Sequence, residues 1–241
     1  MGIYRPLIER AQSGRKESNV TPSDRIVTLP TAVGSLRVPL ALKAAKMIAH
    51  GEKGATPLVM AMWATDTIDG YIAGLVDRKL PGSGLGSSEF GAKADVAYDV
   101  LSGVIIGSAL MVGPNVSKTA KLAVGVALGK DLSKTARYMG MNRDFKEALR
   151  QGELPITNLD IPVNFDGKES TVEQGMALTL ATATNDFENP YVRATLSGLA
   201  VAHAIAGNIH GERAAEDYDT KFSYMLGHIA TGNYPSVQQT V

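Results

Sequence analysis

The sequence predicts an all-α protein, and three observations carry that reading. Apolar runs at 55–64, 100–113, 122–129, 176–184 and 194–209 are each long enough for several helical turns. Proline and glycine punctuate the gaps between them. Acidic residues that interrupt two of the segments recur three and four positions apart, the spacing of one helical face.

The elements follow in order. Residues 1–24 read as a basic amphipathic segment suited to a membrane surface and broken by Pro22. A first core helix starts after Pro30 and passes through Leu36, Leu40 and Ile48 to a stop at Gly51. A second spans about 56–77, and the glycine-rich stretch 81–88 must then be a loop. The third covers 89–111 and ends before Gly113-Pro114; the fourth covers about 117–138. Residues 152–168 read as an exposed loop that admits a short hairpin. A fifth helix is expected at 170–184 and a sixth at 190–209. The tail after Gly211 is polar, with room for one more short helix at 222–229.

Composition excludes several functions. The 24 basic and 24 acidic side chains cancel, and no basic stripe interleaved with aromatics offers a track for nucleic acid. Cysteine is absent, so disulfides, thiolate catalysis and Cys-based zinc sites are excluded together. The four histidines form no HExxH pattern or close ligand pair. The N-terminus lacks an apolar core and a small-residue cleavage site, and Pro6 spoils a myristoylation match.

Composition leaves two all-α architectures open. The mean hydropathy is near zero, and no stretch of about 18 residues is wholly apolar, as a spanning helix usually is. That favours a soluble bundle slightly. The same runs are rich in Ala, Gly, Ser and Thr, which permit close helix packing within membranes.

The chemistry lies on the second and third helices. Asp66 and Asp69 share one face, as do Asp95 and Asp99, and both pairs interrupt apolar surroundings. Four like charges in a low-dielectric setting repel, and metal binding resolves this because carboxylate oxygens suit hard ions such as Mg²⁺ or Mn²⁺. Two such ions clamp a phosphate for in-line displacement. The plainer reading, caps and solvated charges, explains Asp77 well and Asp66 with Asp69 tolerably. It fits Asp95 and Asp99 poorly, since carboxylates on an apolar helix rarely go unpaired. Spaced Asp pairs also occur in soluble terpenoid synthases that bind diphosphate. Gly70 and Gly91 sharpen the signal, because glycine weakens a helix and its use there suggests close approach of backbone or ligand.

Together these residues resemble the signature of the CDP-alcohol phosphatidyltransferases, D-x2-D-G-x2-A-R, a spacer, then G-x3-D-x3-D. Here it reads Asp66, Asp69, Gly70, Ala73, Gly74, then Gly91, Asp95, Asp99, matching everywhere except Gly74. Glu89-Phe90-Gly91 is similar to the start of the third helix in phosphatidylglycerophosphate synthases. Leu29-Pro30-Thr31 with Leu36-Arg37-Val38-Pro39 resembles the family's opening helix, with Thr31 where Asn is usual. Gly129-Lys130-Asp131 is similar to its Gly-Arg-Glu, and the segment Gly167, Lys168, Ser170, Thr171, Gln174 to G-K-x-K-T-x2-Q. The likeness covers roughly 29–211.

The resemblance implies a bundle of six transmembrane helices preceded by an amphipathic surface helix. Its parts would be a juxtamembrane segment at 1–25, a membrane domain at 26–211 and a polar tail at 212–241. It implies an integral protein of a cytoplasmic or inner membrane, with the active site facing the cytoplasm, commonly as a homodimer. Asp66, Asp69, Asp95 and Asp99 would hold two Mg²⁺ or Mn²⁺ ions, with Asp99 also the base on the acceptor hydroxyl. Gly70 and Ala73 would line the cytidine pocket. Arg37, Lys130 and Lys168 are candidates for anionic substrate groups, against headgroup snorkelling as an equal alternative. The substrates would be CDP-diacylglycerol and a small alcohol or sugar-phosphate, glycerol 3-phosphate first and inositol phosphate second. Membrane lipids surround it, and nucleic acid has no part.

Three departures from the pattern stand out. Gly74 replaces the Arg that helps hold the CDP phosphates, and Arg78, one turn on, is the residue that could reach back. The spacer through 80–88 is several residues longer than usual. Ser170 stands for Lys. These allow an altered substrate, or a non-catalytic relative acting as an assembly or lipid-binding membrane protein. A soluble diphosphate-binding helical enzyme is the remaining rival.

Overall fold

The computed structural model describes residues 25–129 and 165–230, without the side chains of 89, 92, 93, 165–168 and 217–230. Every regular element among them is a helix. We label them α1 (Leu29–Gly34), α2 (Arg37–Ala49), α3 (Ala55–Lys79), α4 (Glu89–Val112), α5 (described over 118–129), α6 (Phe165–Asp186) and α7 (Pro190–Ala230).

The expected first helix is two pieces. Thr28 caps α1, its hydroxyl accepting from Thr31 N, and Pro30 supplies a preset φ in the first turn. A break at Ser35 and Leu36 separates α1 from α2, so that Arg37 opens a fresh helix. α3 and α4 fall within two residues of the expected ends. Ser88 caps α4 by accepting from Gly91 N at 2.9 Å.

α3 begins at Gly54, which has no side chain to cap it. Asp186, at the end of α6, caps it from across the bundle. Its carboxylate accepts from Gly54 N at 2.9 Å, Ala55 N at 3.3 Å and Thr56 N at 3.0 Å. Asn185 Nδ2 donates to Glu52 O at 2.6 Å, and Asn115 Nδ2 to Gly51 O at 2.9 Å. Lys53 hydrogen-bonds Glu188 and so holds that exposed carboxylate below its ordinary pKa. These bonds pin the end of the molecule remote from the acidic residues and fix α6 antiparallel to α3.

The core is built from small side chains. Ala41, Ala44, Ala120, Ala177, Ala181, Ala200 and Ala204 are all buried, around Ile48, Val59, Met62, Ile106, Leu110 and Leu178. α6 and α7 pair most extensively, as Ala at i, i+4 on both helices allows. Gly175 sits against the Trp63 ring, where an added Cβ would come within 3.3 Å, and Gly107 leaves no room for a Cβ beside Leu128.

Two boundaries differ from the sequence reading. The loop expected at 152–168 gives way to helix at Phe165, and its earlier part lies outside the described residues. α7 runs on without a break through Gly211 to Ala230, where the sixth helix was expected to end at 209 and a separate short helix to lie at 222–229. A helical Gly costs only about 1 kcal/mol relative to Ala, and buried Ala214 beyond it keeps α7 packed.

Among the described residues, one helix is long and apolar enough by itself to cross a membrane, at Ala94–Val112 of α4. α3, with 25 residues, is about 37 Å long at 1.5 Å per residue. Large apolar side chains point outward along the bundle: Met60, Ile68 and Tyr71 on α3, Leu101 and Met111 on α4, Leu199, Ile205 and Ile209 on α7.

Candidate active site

Four carboxylates converge from two antiparallel helices. Asp66 and Asp69 come from the middle of α3, Asp95 and Asp99 from the second and third turns of α4. Oxygens of Asp66, Asp69 and Asp95 lie within 4.8 Å of one another. Asp69 is nearly buried, its side chain 8% exposed, whereas Asp66 at 44% and Asp95 at 35% open outward.

The first residue of α2 enters the middle of this cluster. Arg37 is 1% exposed. Its Nη2 donates to Asp69 Oδ2 at 2.5 Å and Asp66 Oδ1 at 3.1 Å, its Nη1 to Asp99 Oδ1 at 2.6 Å, and its Nε to Thr65 Oγ1 at 3.2 Å. Nη1 also lies 2.7 Å from Asp95 Oδ1, but off the hydrogen-bonding direction, so this buried oxygen accepts no hydrogen bond. One guanidinium cannot neutralise four carboxylates. The all-oxygen donor set and its excess negative charge therefore suit a hard divalent cation.

A cavity of about 450 Å³ opens beside the cluster, with Asp69 and Asp95 in its wall. Gly70, Ala73 and Gly74 of α3 form one side, Gly91 and Tyr98 of α4 another, and Thr28, Thr31 and Gly34 the α1 side. The loop after α3 closes it through Gly86, Ser87 and Ser88. That loop turns on Gly82 at φ +77° and Gly84 at φ +68°, conformations that L side chains rarely adopt. Leu29 N donates to Leu85 O at 3.2 Å, tying the loop to the start of α1.

Close approach explains two of the glycines. A Cβ on Gly34 would meet Asp69 Oδ2 at 2.9 Å, and one on Gly91 would meet Ser88 Oγ at 2.8 Å and Thr31 Oγ1 at 2.9 Å. Larger residues there would push α1 away from α3 and α4.

The residues singled out from the sequence divide into three groups. Asp66, Asp69, Asp95 and Asp99 come together around Arg37, which faces these carboxylates and does not line the cavity. Gly70 and Ala73 line the cavity, as does Gly74. Arg78 is exposed in the last turn of α3 and outside the cavity wall. Lys130, the Lys168 side chain and the amphipathic segment 1–24 lie outside the described residues.

Sequence reasoning missed Gly34, Tyr98 and Ser87 as wall residues, and left Asp77 as a plain cap. Tyr98 was within reach: it stands three residues after Asp95, on the same face of α4. Ser87 and Gly34 carry no local signal, because only the return of the loop and the α1 turn bring them to the wall.

No protein-family model matches the chain, and no curated protein or solved structure matches it either.

Proposed function

We propose that the protein is a membrane-embedded, metal-dependent transferase of the CDP-alcohol phosphatidyltransferase type, moving a phosphatidyl group from CDP-diacylglycerol to a small alcohol. One observation carries this reading: the aspartates of α3 and α4 cluster beside a cavity that Asp69 and Asp95 line, together with the small residues at the motif positions Gly70, Ala73 and Gly91. Small residues there leave space for a flat base beside charged oxygens that suit a metal-bound diphosphate.

Asp66, Asp69 and Asp95, with Asp99, would hold two Mg²⁺ or Mn²⁺ ions. Bound ions supply neutralisation of the phosphate charge and polarisation of the phosphorus under attack. The acceptor hydroxyl oxygen forms the new bond to the β-phosphorus, the phosphoanhydride bond breaks, and CMP leaves with the bonding pair. The hydroxyl proton goes to Asp99, which is 31% exposed and so reachable by an acceptor. Glycerol 3-phosphate is the acceptor favoured by the Glu89-Phe90-Gly91 context, ahead of inositol phosphate. The outward apolar side chains of α3, α4 and α7 support the bundle of six spans in a cytoplasmic or inner membrane, with the cavity end toward the cytoplasm.

The deciding experiment is CMP release by purified protein given CDP-diacylglycerol, Mg²⁺ or Mn²⁺ and a panel of alcohols. Release that requires one alcohol supports the transferase and names the acceptor. No release with any of them sinks it in favour of a non-catalytic relative.

A second reading is favoured by the hydropathy pattern, in which α4 alone among the described helices suffices as a span. It is a soluble helical enzyme that uses the same cluster for a diphosphate. Recovery in the soluble fraction without detergent selects it over the membrane enzyme.

A further inference from the structure

The acidic cluster contains a cation of its own. Arg37 is almost wholly buried, yet it meets no solvent and no carbonyl cage; its polar partners are Thr65 and the four aspartates. Its position follows from the chain break at Ser35 and Leu36, which turns the first residue of α2 inward over the middle of α3. A planar group that touches carboxylates from two helices at once necessarily lies in the space between them.

We infer that Arg37 is the internal counter-cation of this cluster, a positioning residue that draws the aspartates of α3 and α4 together and that an incoming divalent ion displaces from at least one of them. The inference rests on the metal-binding reading of the cluster. Two details support it. The guanidinium makes charge-assisted bonds to Asp66, Asp69 and Asp99, so those carboxylates cannot turn fully to another cation while all the bonds persist. Asp95 Oδ1 is held 2.7 Å from Nη1 by charge attraction without accepting a hydrogen bond, so an ion can replace that contact without breaking one.

Asp66, Asp95 and Asp99 each keep part of the side chain exposed, whereas Asp69 is nearly buried, so an ion reaches those three first. The alternative is that Arg37 only scaffolds the site, and that without it the carboxylates splay and bind metal worse. The two roles predict opposite signs for the same measurement.

The test is Mn²⁺ titration of the full-length protein in detergent, followed by the electron paramagnetic resonance signal of free Mn²⁺, with no lipid substrate present. Wild type is compared with Arg37→Met and Arg37→Lys. Losing a positive charge in contact with the site should tighten Mn²⁺ binding of Arg37→Met roughly tenfold or more. Its metal-free form should melt below wild type, and Mn²⁺ should restore most of the difference. Arg37→Lys should fall between the two, because an ammonium cannot span four carboxylates; it carries the test if the Met variant does not fold. Unchanged or weaker Mn²⁺ binding in the variants, with wild type binding normally, overturns the inference alone. Wild type that binds no Mn²⁺ overturns the metal reading and the inference with it.

Discussion

Asp77 holds Ser87 by both of its donors: the backbone N–H at 3.2 Å and the hydroxyl at 2.5 Å. Asp77 is buried near the end of α3, and Gly86 passes so close to its carboxylate that a Cβ there would have no space. The glycine-rich loop is thereby folded back over the cavity. A spacer that looks like a loose insertion in sequence serves as a wall.

Asp77→Ala should therefore loosen that wall. Hydrogen bonds to a charged group contribute about 1.5–3 kcal/mol each, so the melting temperature should drop measurably and the KM for the CDP-lipid should rise several-fold, with a smaller change in kcat. Asp77→Asn keeps one acceptor oxygen and should fall between. Equal KM in all three proteins would show that the loop does not shape the substrate site.

The second prediction divides the aspartates. Asp66, Asp69 and Asp95 supply the oxygens that lie close together, while Asp99 meets Arg37 from the next turn of α4. Asp95→Asn and Asp99→Asn should each abolish transfer. Asp99→Asn should keep clearly more affinity for Mn²⁺ and CDP-lipid, because a base is needed for chemistry and a ligand for both. Equal loss of metal affinity in the two variants rules out this division.

Much of this site is legible in the sequence because helix periodicity is local. Spacing of three and four puts Asp66 with Asp69, and Asp95 with Asp99, on single faces, and the Ser88 cap and the glycine run fix where α3 stops and α4 starts. Periodicity does not say which neighbouring helix a face meets. Arg37 follows a helix break that Gly34 and Pro39 flank in the sequence, but nothing local says which way the new helix turns, so its arrival among the aspartates is a tertiary fact. Asp186 capping α3 from about 130 positions away is another. Gly211 misleads for a related reason: its weak intrinsic penalty is overridden by packing of α7 on α6.

The third prediction concerns topology. Leu29 pairs with Leu85, so the start of α1 and the loop after α3 share one end of the bundle, while Glu52 and Asn185 meet at the other. Arg5, Arg10, Arg15, Lys16 and Arg25 precede that first end, and Arg78 with Lys79 flank it, which favours the cytoplasmic side. The chain has no cysteine, so single substitutions report cleanly. In the membrane-embedded reading, Lys79→Cys should react with an impermeant thiol reagent only from the cytoplasmic side and Glu188→Cys only from the other. The reverse pattern inverts the topology, and labelling of both from one side removes the spanning bundle.

The last prediction concerns Gly74, which stands where the resembled motif has Arg. Gly74 is buried and lines the cavity, whereas Arg78 is exposed, one turn further on and outside the wall. A guanidinium contact to phosphate is geometrically demanding, and Arg78 does not begin from a position that faces the cavity. Arg78→Ala should therefore change the KM for the CDP-lipid by less than about threefold, whereas loss of a charge-assisted phosphate bond of about 1.5–3 kcal/mol would raise it roughly tenfold or more. In the proposed transferase Gly74→Arg should lower activity, because a long side chain starting from the cavity wall fills space that a bound nucleotide would occupy. If instead Arg78 swings inward when substrate binds, Arg78→Ala weakens binding sharply and Gly74→Arg rescues part of the loss in the double variant. The two readings differ on both substitutions, so kinetics on the two single variants and the double variant decide whether, in the proposed transferase, Arg78 takes over the phosphate contact or none replaces it.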